Sequence, residues 1–192
     1  MSPPRWAAGL LIVAALVASA AVVAGAPDND DITAPILVRA GVGETVSGRT
    51  LTATVESVEL AEYLDVKYND AGDTSTDGVW VVVDTVLTAR LDTVVLGDSQ
   101  LWIGDVHYRV SDILPAPTPL QLSYGADVPQ RGSLVFEIPR SALEEPGASQ
   151  ASIVLLSSGD PRLDSVPAIV VDLTGLDVLP RVRIDERAVV DQ

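Results

Sequence analysis

The densest group of oxygen donors in the chain is the stretch Glu62 to Asp77 (EYLDVKYNDAGDTSTD), with Asp65, Asn69, Asp70, Asp73 and Asp77. Carboxylate and amide oxygens on a pliable segment are what a hard cation such as calcium takes as ligands, which makes Asp65, Asp70, Asp73 and Asp77 its candidates. The spacing is not that of an EF-hand, because no consensus Gly is followed by a bidentate Glu. A solvated hairpin connection accounts for the same residues, since Asp, Asn, Gly and Ser are turn formers. No metal set is assigned on this spacing.

The one histidine, His107, lies two residues after Asp105. On a strand, residues i and i+2 share a face, so the two side chains can meet as a carboxylate–imidazole pair. A hydrolase would then need a serine such as Ser111 or Ser123 close in space, and no G-x-S-x-G elbow surrounds any serine. The solvated face of a hairpin is the simpler home for His107. Paired carboxylates for glycan chemistry are no better served. Glu144 and Glu145 are adjacent, so on a helical turn they diverge by about 100°. Among the aromatic residues Trp80, Trp102, Tyr63, Tyr68, Tyr108 and Tyr124, Trp80 reads as core. Trp102 faces away from Leu101 and Ile103 and is the candidate binding residue, as an exposed interface anchor.

Composition closes several other routes. The 192-residue chain has no Cys and a single His, which removes disulfides, thiol nucleophiles, thiolate zinc sites and multi-histidine centres. Twelve basic against 27 acidic residues give a net charge of −15, so nucleic acid would be repelled over most of the surface. Eleven of the twelve basic residues are Arg. That bias, with abundant Ala and Val, fits a GC-rich genome such as that of an actinobacterium.

The elements that carry these residues have a period of two. Leu51, Ala53 and Val55 alternate with Thr52, Thr54 and Glu56, as in a strand with one wet face. Val79 to Ala89 is apolar or β-branched on both faces, which predicts a covered central strand. Leu101 to Val110 reads as a hairpin turning at Gly104-Asp105. Leu134, Phe136 and Ile138 alternate until Pro139 stops them. Ile153–Leu156 and Ile169–Leu173 add two further strands. Ser141-Ala142-Leu143-Glu144 has the form of a capping box and predicts a helix of at most two turns, bridging strands at one end. Pro115, Pro117 and Pro119 predict an extended loop, and the tail after Pro180 reads either as an edge strand or as a frayed end. The fold class this predicts is all-β, an antiparallel sandwich.

Three of these pieces carry a family likeness. Gly43–Val55 (GETVSGRTLTATV), Gly78–Asp84 (GVWVVVD) and Gly132–Pro139 (GSLVFEIP) resemble, in order, strands of the immunoglobulin-like extracellular domains of Gram-positive bacteria. That family is of unknown function and related to the secreted mycobacterial immunoprotective antigen. Its usual Asn-containing turn is replaced here by Thr88-Ala89-Arg90-Leu91-Asp92. The resemblance implies an immunoglobulin-like sandwich and brings no catalytic residues.

From Trp6 to Ala26 the chain has no charged residue. About twenty helical residues rise ~30 Å, the thickness of a bilayer's hydrocarbon core. Arg5 precedes the run, while Asp28, Asp30 and Asp31 follow it. A basic near side places the N-terminus in the cytoplasm. The expected organisation is an N-terminal transmembrane anchor over residues 1–26, a stalk over 27–35 and the sandwich over 36–192. A cleaved signal peptide ending at Ala18-Ser19-Ala20 is the alternative, and both readings export the domain. A stalk of about ten residues keeps the domain within ~35 Å of the bilayer. The expected function is non-catalytic: a single-pass module of the cell membrane, with its C-terminal domain extracytoplasmic, binding a neighbouring membrane or envelope protein and using no cofactor. A secreted binder and an envelope hydrolase are the alternatives.

Overall fold

The computed structural model describes residues 34–66, 74–91, 98–112, 126–157 and 164–184, together with positions 9, 12, 14–20, 94, 96 and 188–189. It falls into two units, Met1–Ala34 and Pro35–Gln192. In the first, the described residues 9, 12 and 14–20 are helical, and the Ser19 hydroxyl donates to the Ala15 carbonyl at 2.9 Å. No helix among the described residues is long and apolar enough to cross a membrane. The remainder of the expected anchor, and most of the stalk, lie outside the described residues.

The second unit is the predicted all-β sandwich. One sheet has the order β1-β9-β8-β5-β6, from β1 (Ile36–Gly41), β9 (Ser165–Val171), β8 (Ala151–Val154), β5 (Gln100–Ile103) and β6 (Val106–Arg109). The other is built on β3 (Leu51–Val66), β4 (Ser75–Ala89) and β7 (Gln130–Ile138), with β10 (Val178–Leu179) and β12 (Ala188–Val189) at its edges. Two further strands, β2 (Thr45–Ser47) and β11 (Val182–Ile184), also pair with β3.

The two-residue alternation is realised where the sequence shows it. Leu51, Ala53 and Val55 point into the core while Thr52 and Thr54 are half-exposed. β4 lies between β3 and β7, and its Val79 to Val83 segment is buried on both faces. The inward side chains meet those of the first sheet, with Phe136, Leu134, Leu101 and Ile153 at the centre. Trp80 points the other way. It anchors a second, smaller core with Val82, Val135, Val182 and Ile184, and its indole N–H donates to the Thr74 carbonyl at 2.9 Å. The undecided tail after Pro180 therefore forms edge strands, with β11 running alongside β3 and β12 pairing with β7.

Three expectations are corrected. The sandwich is not wholly antiparallel: β1 runs parallel to β9, and β10 and β11 run parallel to β3. These pairs are made by the two ends of the unit, whose direction no tight hairpin dictates. The predicted short helix is instead a pair of 3₁₀ turns, Arg140–Glu144 and Pro146–Gln150, joined at an extended Glu145. Pro139 occupies the cap position, leaving Ser141 inside the turn with no capping bond, and Pro146 holds Glu145 out of the helical region. The turns do bridge β7 to β8. Finally, both ends of the acidic stretch are strand, since Glu62–Val66 ends β3 and Ser75–Asp77 opens β4, while residues 67–73 lie outside the described residues.

The chain enters the sandwich at a fastened point. The Arg49 guanidinium grips Asp164 in a two-pronged pair, Nε to Oδ1 at 2.6 Å and Nη2 to Oδ2 at 2.9 Å. Asp164 is buried, and its carbonyl accepts from Ile36 N at 2.7 Å. The Arg49 hydrogen bond holds the Asp164 carboxyl below the usual carboxylate range, against the opposing effect of burial.

Candidate functional site

The expected hairpin positions Trp102. β5 and β6 turn at Gly104, whose φ of 58° is the left-handed conformation that glycine tolerates best. Leu101 and Ile103 enter the core, so Trp102 lies on the outer face of the first sheet, half-buried. Its ring stacks on His107, directly across the ladder, with centroids 4.4 Å apart and planes 13° from parallel. The indole N–H donates to Gln100 Oε1 at 2.8 Å. Its other cross-strand neighbour is the buried Ser152, and the ring packs against the apolar cluster of Val154, Leu156, Val166 and Ala168. Beside the indole is a groove of about 490 Å³, also lined by Arg39, Gly147, Ser149, Gln150 and Ser152. The 3₁₀ turn after Pro146 forms its rim.

His107 is thus an exposed platform under Trp102, and no hydrogen bond joins it to Asp105 among the described residues. Ser111 follows β6, with its backbone N–H donating to the Val135 carbonyl at 2.7 Å, and Ser123 lies outside the described residues.

The calcium candidates divide. Asp70 and Asp73, with Asn69, lie outside the described residues. Asp65 is on β3, where its carboxylate stands 4.0 Å from Arg181, and Asp77 is exposed on β4. Among the described residues no three His, Cys, Asp or Glu side chains gather as a metal would require.

Spacing could not have found one further cluster. On the outer face of the other sheet, Ser57 and Ser133 both donate to Asp84, at 3.1 and 2.6 Å. Arg131 pairs with Glu56 at 2.7 Å beside them, around a depression of about 270 Å³ that Arg183 also lines. The register of β3, β4 and β7 alone joins these residues. With both Asp84 oxygens accepting from hydroxyls and Arg131 paired, the cluster's described groups satisfy one another.

The fold defines a β-sandwich domain. Among solved structures, the chain is similar to the yjhA protein from Bacillus subtilis, at 14% identity over 67% of this chain and 98% of that one, with a TM-score of 0.47. It is also similar to an uncharacterized β-sandwich protein from Clostridium difficile 630, at 10% identity over 74% of this chain and 99% of that one, with a TM-score of 0.45. No protein-family model matches the chain, and no curated protein matches it in sequence. The expected link to the mycobacterial antigen finds no support in these comparisons.

Proposed function

We propose that the protein is a non-catalytic binding module, anchored in the cell membrane by its N-terminal segment and displaying an immunoglobulin-like sandwich outside it. The observation that carries this is the setting of Trp102. A large aromatic residue is held rigid on an outer sheet face by Gln100 and His107, with a groove beside it and no nucleophile–base pair next to it among the described residues. Such an arrangement binds rather than reacts. The strand order β1-β9-β8-β5-β6 facing β3-β4-β7 supports the immunoglobulin-like assignment, since hairpins β5-β6 and β8-β9 share one sheet while β4 and β7 pair in the other.

The anchor is supported by the uncharged run Trp6–Ala26 and by Ile12, Leu16 and Val17, which are helical and exposed. Apolar side chains so placed call for lipid or another apolar partner. Gly9, Ala20 and Ala24 suit close packing against a helix of a neighbouring membrane protein. The domain then belongs to the outer side of the membrane.

Crosslinking in living cells with a C-terminally tagged full chain, followed by capture from solubilised membranes and mass spectrometry, tests this. The expected result is one membrane protein captured in stoichiometric amount, with residues 6–26 intact. A shortened, partner-free protein in the medium would replace the anchored module with a secreted binder.

A further inference from the structure

The acidic character of this chain is not spread evenly. Its net charge is −15, yet none of the five strands of the first sheet contains an Asp or a Glu. Strands β3, β4 and β7 of the other sheet carry seven between them. The ionisable side chains on the outer face of the first sheet are Arg39 on β1, with His107 and Arg109 on β6. Among the described residues Arg39 and Arg109 have no ion-pair partner, whereas Arg49, Arg131, Arg140 and Arg181 each face a carboxylate. In so acidic a protein, an unpaired guanidinium opening onto a groove is a place where an anion is attracted rather than repelled.

The groove's other groups narrow the chemistry. Trp102 forms one side of the groove, with a ring face stacked on His107 and its ring also packed against Val154, Leu156, Val166 and Ala168. A residue that buries itself in a protein partner would project as a knob; this half-buried ring instead offers its remaining surface to a ligand lying in the groove. The remaining polar lining, Ser149, Gln150 and Ser152, consists of neutral hydroxyl and amide groups that both donate and accept. Polyols need such partners. The volume of about 490 Å³ suits one or two pyranose rings.

We infer that this groove binds an acidic saccharide, with a sugar ring against Trp102, its carboxylate on Arg39, and its hydroxyls on Ser149, Gln150 and Ser152. The inference rests on the reading of the domain as a displayed binding module and names the ligand class of its groove, separately from the membrane partner of the anchor.

The test is calorimetric titration of the full chain in detergent micelles with tetragalacturonate, against neutral maltotetraose and a hexaglutamate peptide. Tetragalacturonate is expected to bind saturably, and at least about tenfold more tightly than either comparison probe. Arg39→Gln is expected to weaken it by about tenfold or more and to erase the preference over the neutral sugar. Trp102→Ala is expected to weaken both sugars alike, by about three- to tenfold. A single cooperative thermal transition well above the titration temperature verifies that both variants fold, and neither substitution removes an ion pair. Equal binding of the neutral sugar, equal binding of hexaglutamate, or no heat up to about 10 mM ligand would each overturn the inference. Membrane-partner capture with the same variants separates the two readings. Capture that persists without sugar binding sinks only the groove, and sugar binding without capture sinks only the anchored assembly.

Discussion

Trp80 and Trp102 show how the same residue type takes two roles from its strand position alone. Both are apolar rings with one polar handle, and both satisfy that handle, Trp80 with the Thr74 carbonyl and Trp102 with Gln100. Trp80 is 1% exposed, so its handle has no water to turn to. Thr74 is buried as well, and its hydroxyl donates to the Leu64 carbonyl. Trp80→Phe keeps an aromatic ring but leaves the Thr74 carbonyl without its donor and a gap where the larger ring stood. A cost of about 2–3 kcal/mol is expected, read as a lower urea midpoint at unchanged slope. A midpoint equal to that of the parent would show that the second core does not depend on this bond. The sequence placed Trp80 in the core correctly, because it sits in an unbroken apolar run. It did not show that this core lies on the opposite face of the sheet, since the covering residues Val182 and Ile184 are about a hundred positions away.

At the scale of elements, strands with a strong local pattern were legible and their partners were not. Val79–Ala89, the Gly104-Asp105 hairpin and the Pro139 stop are all present as read. β1 is different. Its parallel pairing with β9 joins Ile36 to Ser165 across most of the chain, and nothing local specifies it. Two close contacts hold such distant elements together and make predictions. A Cβ on Gly147 would lie 2.3 Å from Gly104 N, so the 3₁₀ turn rests on the hairpin backbone itself. Gly147→Ala is expected to cost about 1–3 kcal/mol and to weaken saccharide binding, because Gly104 and Gly147 both line the groove. The second contact is the Arg49–Asp164 clamp. The folded Asp164 carboxyl is held below its ordinary range, so its stabilising effect is complete above the unfolded-state value and fades as pH falls toward the folded one. Asp164→Asn should therefore lower the thermal midpoint at neutral pH and shrink its loss on acidification. A variant whose acid-induced loss matches the parent's would remove the clamp from the account. Arg49 is 63% exposed on its side chain, so solvent screening keeps the effect small.

At the scale of the whole molecule, charge placement decides more than charge total. Composition alone gave −15 and excluded nucleic acid; that Arg39 and Arg109 of the first sheet face no carboxylate among the described residues emerges only after every strand has been assigned a face. The Asp84 cluster was hidden for the same reason, as Ser57, Asp84 and Ser133 meet through register across three strands. The uneven distribution predicts opposite responses to salt. Carboxylates crowded on and around the β3-β4-β7 sheet repel one another in the folded state, so screening them should raise the thermal midpoint. The attraction between Arg39 and an acidic saccharide is screened by the same ions, so binding should weaken. Thermal scans and titrations of one sample, from about 0.02 to 0.5 M sodium chloride, measure both. A midpoint that climbs while affinity falls is the expected pair. Affinity independent of salt would place the ligand's charge away from Arg39, and a midpoint that falls with salt would mean that the ion pairs at Asp164, Glu56 and Glu62 outweigh the self-repulsion of the acidic surface.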